Sequence, residues 1–410
     1  MTAIQTILKH YPFGRLGRLL DGVPPGDPGI DVGGYPKDTP ILLSVGEPRD
    51  EPPSFVAEEV AKAASGWSRY PPSRGTPAYL RACAAWLQRR YDLPEGMIDP
   101  GSMILAVPGS REGLFFAALA AVPEAPGGAA NGEAQTPAVL MPNPCYHVYP
   151  GAAAVAGAEP VLVPATPASG NLPDFAALAP EVLARAALAY YCSPSNPQGA
   201  AADLETLRAV IALARRWDFT VAFDECYAEI YTGAAPPSAL QAALAMGGGL
   251  ENLLVFHSLS KRSSAPGLRC GFVVGAPAKI ATLEVMLRTG GAGVPFPTLA
   301  AGTALWNEDS HAAANRARYR ENFAIAARVL GNRFGFRTPD GGFFLWLDVG
   351  DGEEATRHLW REAGIQVLPG AYMCRAGADG TNPGASYIRV ALVYGPELSE
   401  AALNRLAEVL

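Results

Sequence analysis

A chain of 410 residues carrying 32 Lys+Arg against 39 Asp+Glu, formal net charge −7, is too long for one compact core, and its acidity argues against a broad nucleic-acid or membrane-surface role. Hydrophobic residues make up 49% and charged residues 17%, the composition of an ordinary soluble globular protein of two domains. No uninterrupted apolar run reaches the ~18 residues of a membrane span, and the opening MTAIQTILKHYPFGRL lacks an export signal, so a cytoplasmic protein is expected.

In chain order, residues 1–40 end in the Gly/Pro-rich PPGDPGIDVGGYPKDTP and read as an extended arm without a core of its own, lying on another surface such as a second subunit. A strand is expected at 41–45, running into Gly46-Glu47-Pro48, then helical spacing at 55–64. Residues 70–75, YPPSRG, form a turn before a helix at 77–91 with apolar positions Tyr79, Leu80, Cys83, Ala84 and Leu87. A strand at 103–107 ends in Pro108-Gly109-Ser110-Arg111-Glu112 and an apolar helix at 113–122. Strand, glycine turn and helix put free backbone N–H groups at one point, a generic phosphate seat. Residues 123–137, PEAPGGAANGEAQTP, read as a flexible surface insertion.

Strands at 138–141, 161–163, 187–191 and 219–223 then alternate with helices at 149–157 and 203–217. That alternation implies a mainly parallel sheet flanked by helices, with ligands beyond the carboxyl ends of its strands. Polar clusters sit at those ends: Asn143 to Tyr146, Ser193 to Pro197, and Asp224-Glu225-Cys226-Tyr227. Taken singly, Asn196 reads as a turn residue, Asp224 as a helix cap and Tyr146 as core; their convergence is the signal.

The fourth cluster is HSLSKRSSAPGLRCGF, between strands expected at 252–256 and 270–275. A lysine there, Lys261, must be paired or chemically used. It stands among Ser258, Ser260, Ser263 and Ser264, with Arg269 eight residues on. Either it is a strand-end lysine in a serine-rich turn, or it is a desolvated Schiff-base lysine beside a phosphate cup, which suggests pyridoxal phosphate. Six scattered cysteines without a C-x-x-C pair read as reduced packing residues, and no metal site is suggested.

Beyond residue 295 helices are expected at 298–306 and 312–334, a strand at 342–348, a helix at 353–363, strands at 366–368 and 386–392, and a helix at 399–410. The resulting division is an arm at 1–40, a smaller α+β domain from 41–65 and 296–410, and a large domain at 66–295.

The ordered set Gly-Ser-Arg-Glu-Gly, SPSNPQG, DECY, SLSKRSSAPGLRCG and YIRV resembles the fold type I pyridoxal-phosphate aminotransferases of class I/II over nearly the whole chain. The opening HYPFGRLGRLL is similar to that of the succinyldiaminopimelate aminotransferases of the lysine pathway. The resemblance implies pyridoxal 5′-phosphate bonded to Lys261, which then shuttles a proton, with Asp224 on the pyridine nitrogen. Tyr227 and Asn196 would contact the phenolate oxygen, and Tyr146 would stack on the ring. Ser110, Arg111, Ser258, Ser260 and Arg269 would hold the phosphate, and Tyr70 would reach it from the neighbouring subunit of a homodimer. Arg389 and Gly46, with Asn196, would take the substrate carboxylate; without the family, Arg389 and Arg269 read as ion-paired sheet arginines.

The implied substrates are N-succinyl-2-amino-6-oxoheptanedioate and glutamate, with Arg15, Arg74 and Arg262 as candidate partners for the distal carboxylates. An aminotransferase for aspartate, aromatic amino acids or kynurenine, or a lyase on the same scaffold, stays open. A non-catalytic cofactor sensor fused to a DNA-binding domain is disfavoured by the acidic charge, the Gly/Pro-rich first 40 residues and the presence of Lys261.

Overall fold

The structure is a computed structural model describing residues 2–32, 34–36, 38–123, 135–377 and 379–410. Most of the insertion expected at 123–137 lies outside the described residues. Among the described residues the strands are β1 Ile41–Leu42, β2 Ile104–Val107, β3 Ala138–Asn143, β4 Glu159–Pro164, β5 Ala186–Cys192, β6 Thr220–Asp224, β7 Leu253–Ser258, β8 Gly271–Gly275, β9 Phe344–Asp348, β10 Ile365–Gln366, β11 Leu368–Pro369 and β12 Tyr387–Ala391.

A seven-stranded sheet has the order β2-β8-β7-β6-β5-β3-β4. It is parallel except for β8, which runs antiparallel to both β2 and β7. Its inner strands are near-continuous apolar runs because both faces are covered. Along β6 and β7, Val221, Phe223, Leu253 and Val255 enter one core, while Ala222, Leu254 and Phe256 enter the other. The first core is closed by helices Pro77–Tyr91, Leu204–Trp217 and Phe296–Asn307; the second by Ser110–Ala121, Val148–Val155 and Pro277–Gly290.

A smaller antiparallel sheet, β11-β12-β9, shares a third core with the pair β1-β10 and with helices Ser310–Leu330, Gly352–Ala363 and Pro396–Val409. Ile41 and Leu43 enter that core, so the chain returns early residues to its C-terminal third. Val56 and the helix Phe296–Asn307, expected with this smaller unit, instead bury their apolar side chains in the core of the large sheet.

The first forty residues differ from the extended arm expected. Helices form at Ala3–His10, with a Thr2/Gln5 capping box, and at Pro12–Leu19, started by a proline at its first turn. Leu16 and Leu20 are buried against Leu368, Ala371, Tyr372 and Met373. The pattern hides them: Ile4 and Leu8 stay 67% and 64% exposed, and Gly14 and Gly17 are poor helix formers. The helix Pro277–Gly290, also absent from the expected elements, buries Ile280, Leu283 and Leu287.

Directly after β6, Glu225 points away from the strand end into the core. Its Oε1 accepts from Ser238 Oγ at 3.1 Å and the Ala239 N–H at 2.8 Å, and its Oε2 accepts from Tyr91 at 3.3 Å. Burial outweighs these donors and pushes the carboxyl from 4.5 up to about 7. His257 Nε2 lies 3.5 Å away, and burial pulls that imidazole down to about 3. Between about 4.5 and 7 the folded protein keeps a proton on Glu225 that the unfolded chain releases, so this group lowers stability as pH rises through that window. The melting temperature of Glu225→Gln relative to the parent should therefore climb between those pH values; a pH-independent difference would contradict the raised pKa.

Candidate active site

The carboxyl ends of the parallel strands open into a cavity of about 180 Å³ between the large sheet and the smaller one. Each strand end delivers polar groups to it: β2 leads to Ser110 and Arg111, β3 to Tyr146, β5 to Asn196, β6 to Asp224 and Tyr227, and β7 to Ser258, Ser260 and Lys261. Gly46, Arg269 and Arg389 complete the set expected from the sequence. Tyr70 is elsewhere, its side chain 98% exposed.

Lys261 sits on the single helical turn Leu259–Arg262 that follows β7. Its ammonium donates to the Gly46 carbonyl and lies 5.1 Å from the Phe343 ring centroid. Burial pulls it down from 10.5 to about 8, with Arg389 and Arg111 adding like-charge repulsion and Cys226 opposing. A Cβ on Gly46 would collide with the Phe344 ring, so only glycine lets the backbone approach there.

Asp224, 3% exposed, accepts from Tyr149 Oη at 2.8 Å and from the Cys226 N–H at 3.3 Å. Neither donor is charged, and burial pushes the carboxyl up. Tyr149 is itself fixed by stacking on Tyr190, with centroids 4.3 Å apart and planes 7° from parallel. Tyr227 packs edge-on to Phe343 and Phe344.

Arg389 is 4% exposed on β12. Nη1 donates to Asn196 Oδ1 at 3.1 Å and Nη2 to the Ser44 carbonyl at 2.6 Å, while the guanidinium lies 4.2 Å over the Phe344 ring. Its Nε is buried without a partner among the described residues, and burial pulls the group down to about 10. A buried arginine with neutral partners calls for an anion.

The turn after β2 is tight. Gly109 has φ 96°, and a Cβ there would collide with the Arg269 guanidinium. Arg269 is itself in left-handed backbone at φ 54°, which positions its side chain back across the turn. There it donates to the Pro108 carbonyl at 2.9 Å and pairs with Glu112 at 2.8 Å, so the ion-paired reading of Arg269 holds in this structure. Ser110 begins the helix Ser110–Ala121, whose free N–H groups face the cavity mouth. Ser258 Oγ accepts from the Ser260 N–H at 3.1 Å, and the two hydroxyls are 2.9 Å apart. Arg111 donates through Nε to Tyr146 Oη at 2.9 Å, so its head orients that ring.

Of the three arginines expected for distal carboxylates, two are committed elsewhere. Arg74 is bound to Glu284 at 2.5 Å and to the Gly101 and Ser102 carbonyls. Arg262, 2% exposed, is bound to Asp309 at 2.5 Å and to the Leu305 and Glu308 carbonyls. Phe13, His147, Leu368 and Met373 also line the cavity. The sequence carries no signal that marks them as site residues, and Phe13 lies in the stretch whose Gly/Pro content reads as an extended arm. All six cysteines are unpaired.

The aminotransferase class I and II family model matches residues 38–410. The chain is 32% identical to the 4-dedimethylamino-4-oxo-anhydrotetracycline transaminase OxyQ of Streptomyces rimosus, over 89% of this chain and 92% of that protein. It is 32% identical to an LL-diaminopimelate aminotransferase of Moorella thermoacetica, over 98% and 96% respectively. A solved aminotransferase from Neisseria meningitidis superposes with a TM-score of 0.88 at 34% identity, covering 98% of this chain and 99% of that one.

Pyridoxal phosphate, the cofactor of that family, brings a dianionic phosphate and a basic ring nitrogen, and the residues present fit both. A buried carboxylate with only neutral donors, Asp224, suits a protonated ring nitrogen. The glycine-cradled helix start at Ser110, with the paired serines and Arg269, suits the phosphate.

Proposed function

Because the chain belongs to the pyridoxal-phosphate-dependent aminotransferases of class I and II, we propose that it moves an amino group between glutamate and a long succinylated oxo dicarboxylate of the diaminopimelate type, N-succinyl-2-amino-6-oxoheptanedioate, in the cytoplasm. The observation that carries an amino-acid substrate is Arg389: a buried guanidinium whose partners are all neutral, at the wall of the cavity that holds Lys261. The diaminopimelate class is supported by the HYPFGRLGRLL opening and by the LL-diaminopimelate aminotransferases among the relatives.

When bound, the cofactor supplies an aldehyde that condenses with amines and a ring that accepts the electrons left by a broken C–H bond. Lys261 is the residue that would hold the aldehyde at rest. Its amine, drawn down to about 8, is partly neutral near neutral pH and can take the substrate α-proton and return one during the exchange. Asp224, kept in place by Tyr149, would hold the ring nitrogen protonated. Tyr227 and Asn196 would donate to the ring oxygen, and Tyr146, oriented by Arg111, would cover the ring face. Ser110, Ser258, Ser260 and Arg269 would grip the phosphate, and Arg111, whose Nε is used on Tyr146, has terminal amino groups free among the described residues to join them. Arg389, with the Gly46 backbone and Asn196, would hold the α-carboxylate by its planar fork.

The proposed unit is a homodimer. Tyr70, 98% exposed on this chain beside the exposed Trp67, would reach the phosphate bound by the second copy.

Asp224→Asn should lower turnover roughly a hundred- to a thousandfold with an unchanged circular-dichroism melt, since a charge aimed at the reacting system is lost. A near-normal rate would remove Asp224 from the ring nitrogen. For substrate, amino donors and oxo acceptors followed by cofactor absorbance should rank the succinylated oxo dicarboxylate and glutamate above aspartate, aromatic acids and kynurenine; the reverse order overturns the assignment. Mixing Tyr70→Ala with Lys261→Ala, each inactive alone, should regain activity as mixed dimers form. No recovery after verified subunit exchange would mean that Tyr70 acts within its own chain or not at all.

A further inference from the structure

Beyond the wall formed by Phe13, His147 and Met373, a second cleft of about 540 Å³ opens, lined by Lys9, His10, Arg15, Arg375 and Asn382. The two spaces are joined along two segments. Met373 lines the cavity and the next two residues, Cys374 and Arg375, line the cleft, so the two spaces meet along one strip of chain. That strip is pinned to the end of β3: the Cys145 N–H donates to the Met373 carbonyl at 3.0 Å, the Arg375 N–H to Asn143 Oδ1 at 3.1 Å, and Asn143 Nδ2 to the Arg375 carbonyl at 3.0 Å. Across from it, Phe13 lines the cavity and His10 the cleft.

The cleft gathers more positive charge than its own acids neutralise. Arg15 pairs with Glu353 at 3.5 Å, donates to the Ala371 carbonyl at 3.2 Å and lies 3.8 Å over the Tyr372 ring. Arg375 is half-buried, yet its guanidinium makes no hydrogen bond or ion pair among the described residues, nor does the Lys9 ammonium. Both crowd His10, which burial together with Arg375, Lys9 and Arg15 pulls down to about 4, with no carboxylate opposing them. A half-buried guanidinium without a counter-charge is costly unless an anion joins it.

We propose that this cleft seats the distal carboxylate of a substrate whose α-carboxylate is held by Arg389. The assignment rests on the long dicarboxylate proposed above and names the groups that read its far end: Arg375 through its planar fork, Lys9 as a point charge, and Arg15 fixed by Glu353 and Tyr372 as the rim. The strip between Met373 and Arg375 acts as a ruler. A four-carbon dicarboxylate ends inside the cavity, whereas a seven-carbon one extends past Met373 toward the cations.

The test compares 2-aminopimelate with 2-aminoheptanoate, amino acids of equal length that differ in the second carboxylate. The holoenzyme should prefer the dicarboxylate. Arg375→Gln should cut the ratio of kcat/KM values about ten- to hundredfold, as expected for a lost charge-assisted contact, with the change in KM. Arg375→Lys should keep part of the preference. Calorimetric binding of pimelate against heptanoate to the holoenzyme gives the same comparison without turnover. No dicarboxylate preference in the parent, or an Arg375→Gln loss of equal size on both compounds, overturns the distal seat. A preserved preference for 2-aminopimelate in an enzyme inactive on the succinylated oxo dicarboxylate overturns the proposed substrate and leaves the seat standing.

Discussion

The architecture around the cavity depends on two ionisable groups buried at the ends of adjacent parallel strands. Asp224 closes β6 and Lys261 follows β7, and the register Asp224↔Phe256 sets those ends side by side. Neither group has an opposite charge bonded to it: the carboxylate has a phenol and a backbone N–H, the ammonium a carbonyl. Taking each from water is expensive, and neutral partners offset only part of that cost. Their pKa values respond in opposite directions, up for the acid and down for the amine. The rest of the molecule makes the arrangement tolerable by rigidity: two apolar cores clamp the strands, and Tyr149 is held by its stack on Tyr190.

The same logic of unsatisfied charge recurs at Arg389, in different surroundings. Its three nitrogens face a side-chain amide oxygen, a backbone carbonyl and nothing, over an aromatic face. Arg269 shows the opposite solution, with Glu112 supplied by the adjoining helix turn. An arginine that carries its own carboxylate can exchange it for a phosphate at modest cost, because the charge is never left bare. An arginine without one is waiting for a ligand.

Much of this was legible in the sequence because the sheet is parallel. Each strand end carries its polar cluster at a fixed place in the chain, and short apolar runs separated by helical spacing locate those ends without knowledge of strand order. The ordering itself, with β8 reversed between β2 and β7, leaves no such trace, since an apolar run reads the same in either direction. The N-terminal helices were invisible for a related reason. Their buried contacts come from Leu16 and Leu20 against residues 368–373, a pairing set by tertiary packing, while Gly14 and Gly17 depress local helix propensity. Arg74 and Arg262 were plausible ligand cations by charge alone; only the fold reveals that Glu284 and Asp309 already own them.

The docked N-terminal helices divide labour within the chain. Phe13 forms part of the cavity wall, and Lys9 and His10 part of the neighbouring cleft, yet none belongs to a strand of either sheet. The bond-making groups are thus locked into the most deeply packed part of the molecule, whereas the neighbouring cleft is shared between the N-terminal helices and the strip that carries Arg375. A change on either contributor, helix or strip, alters that cleft without touching the strand ends that carry Asp224 and Lys261.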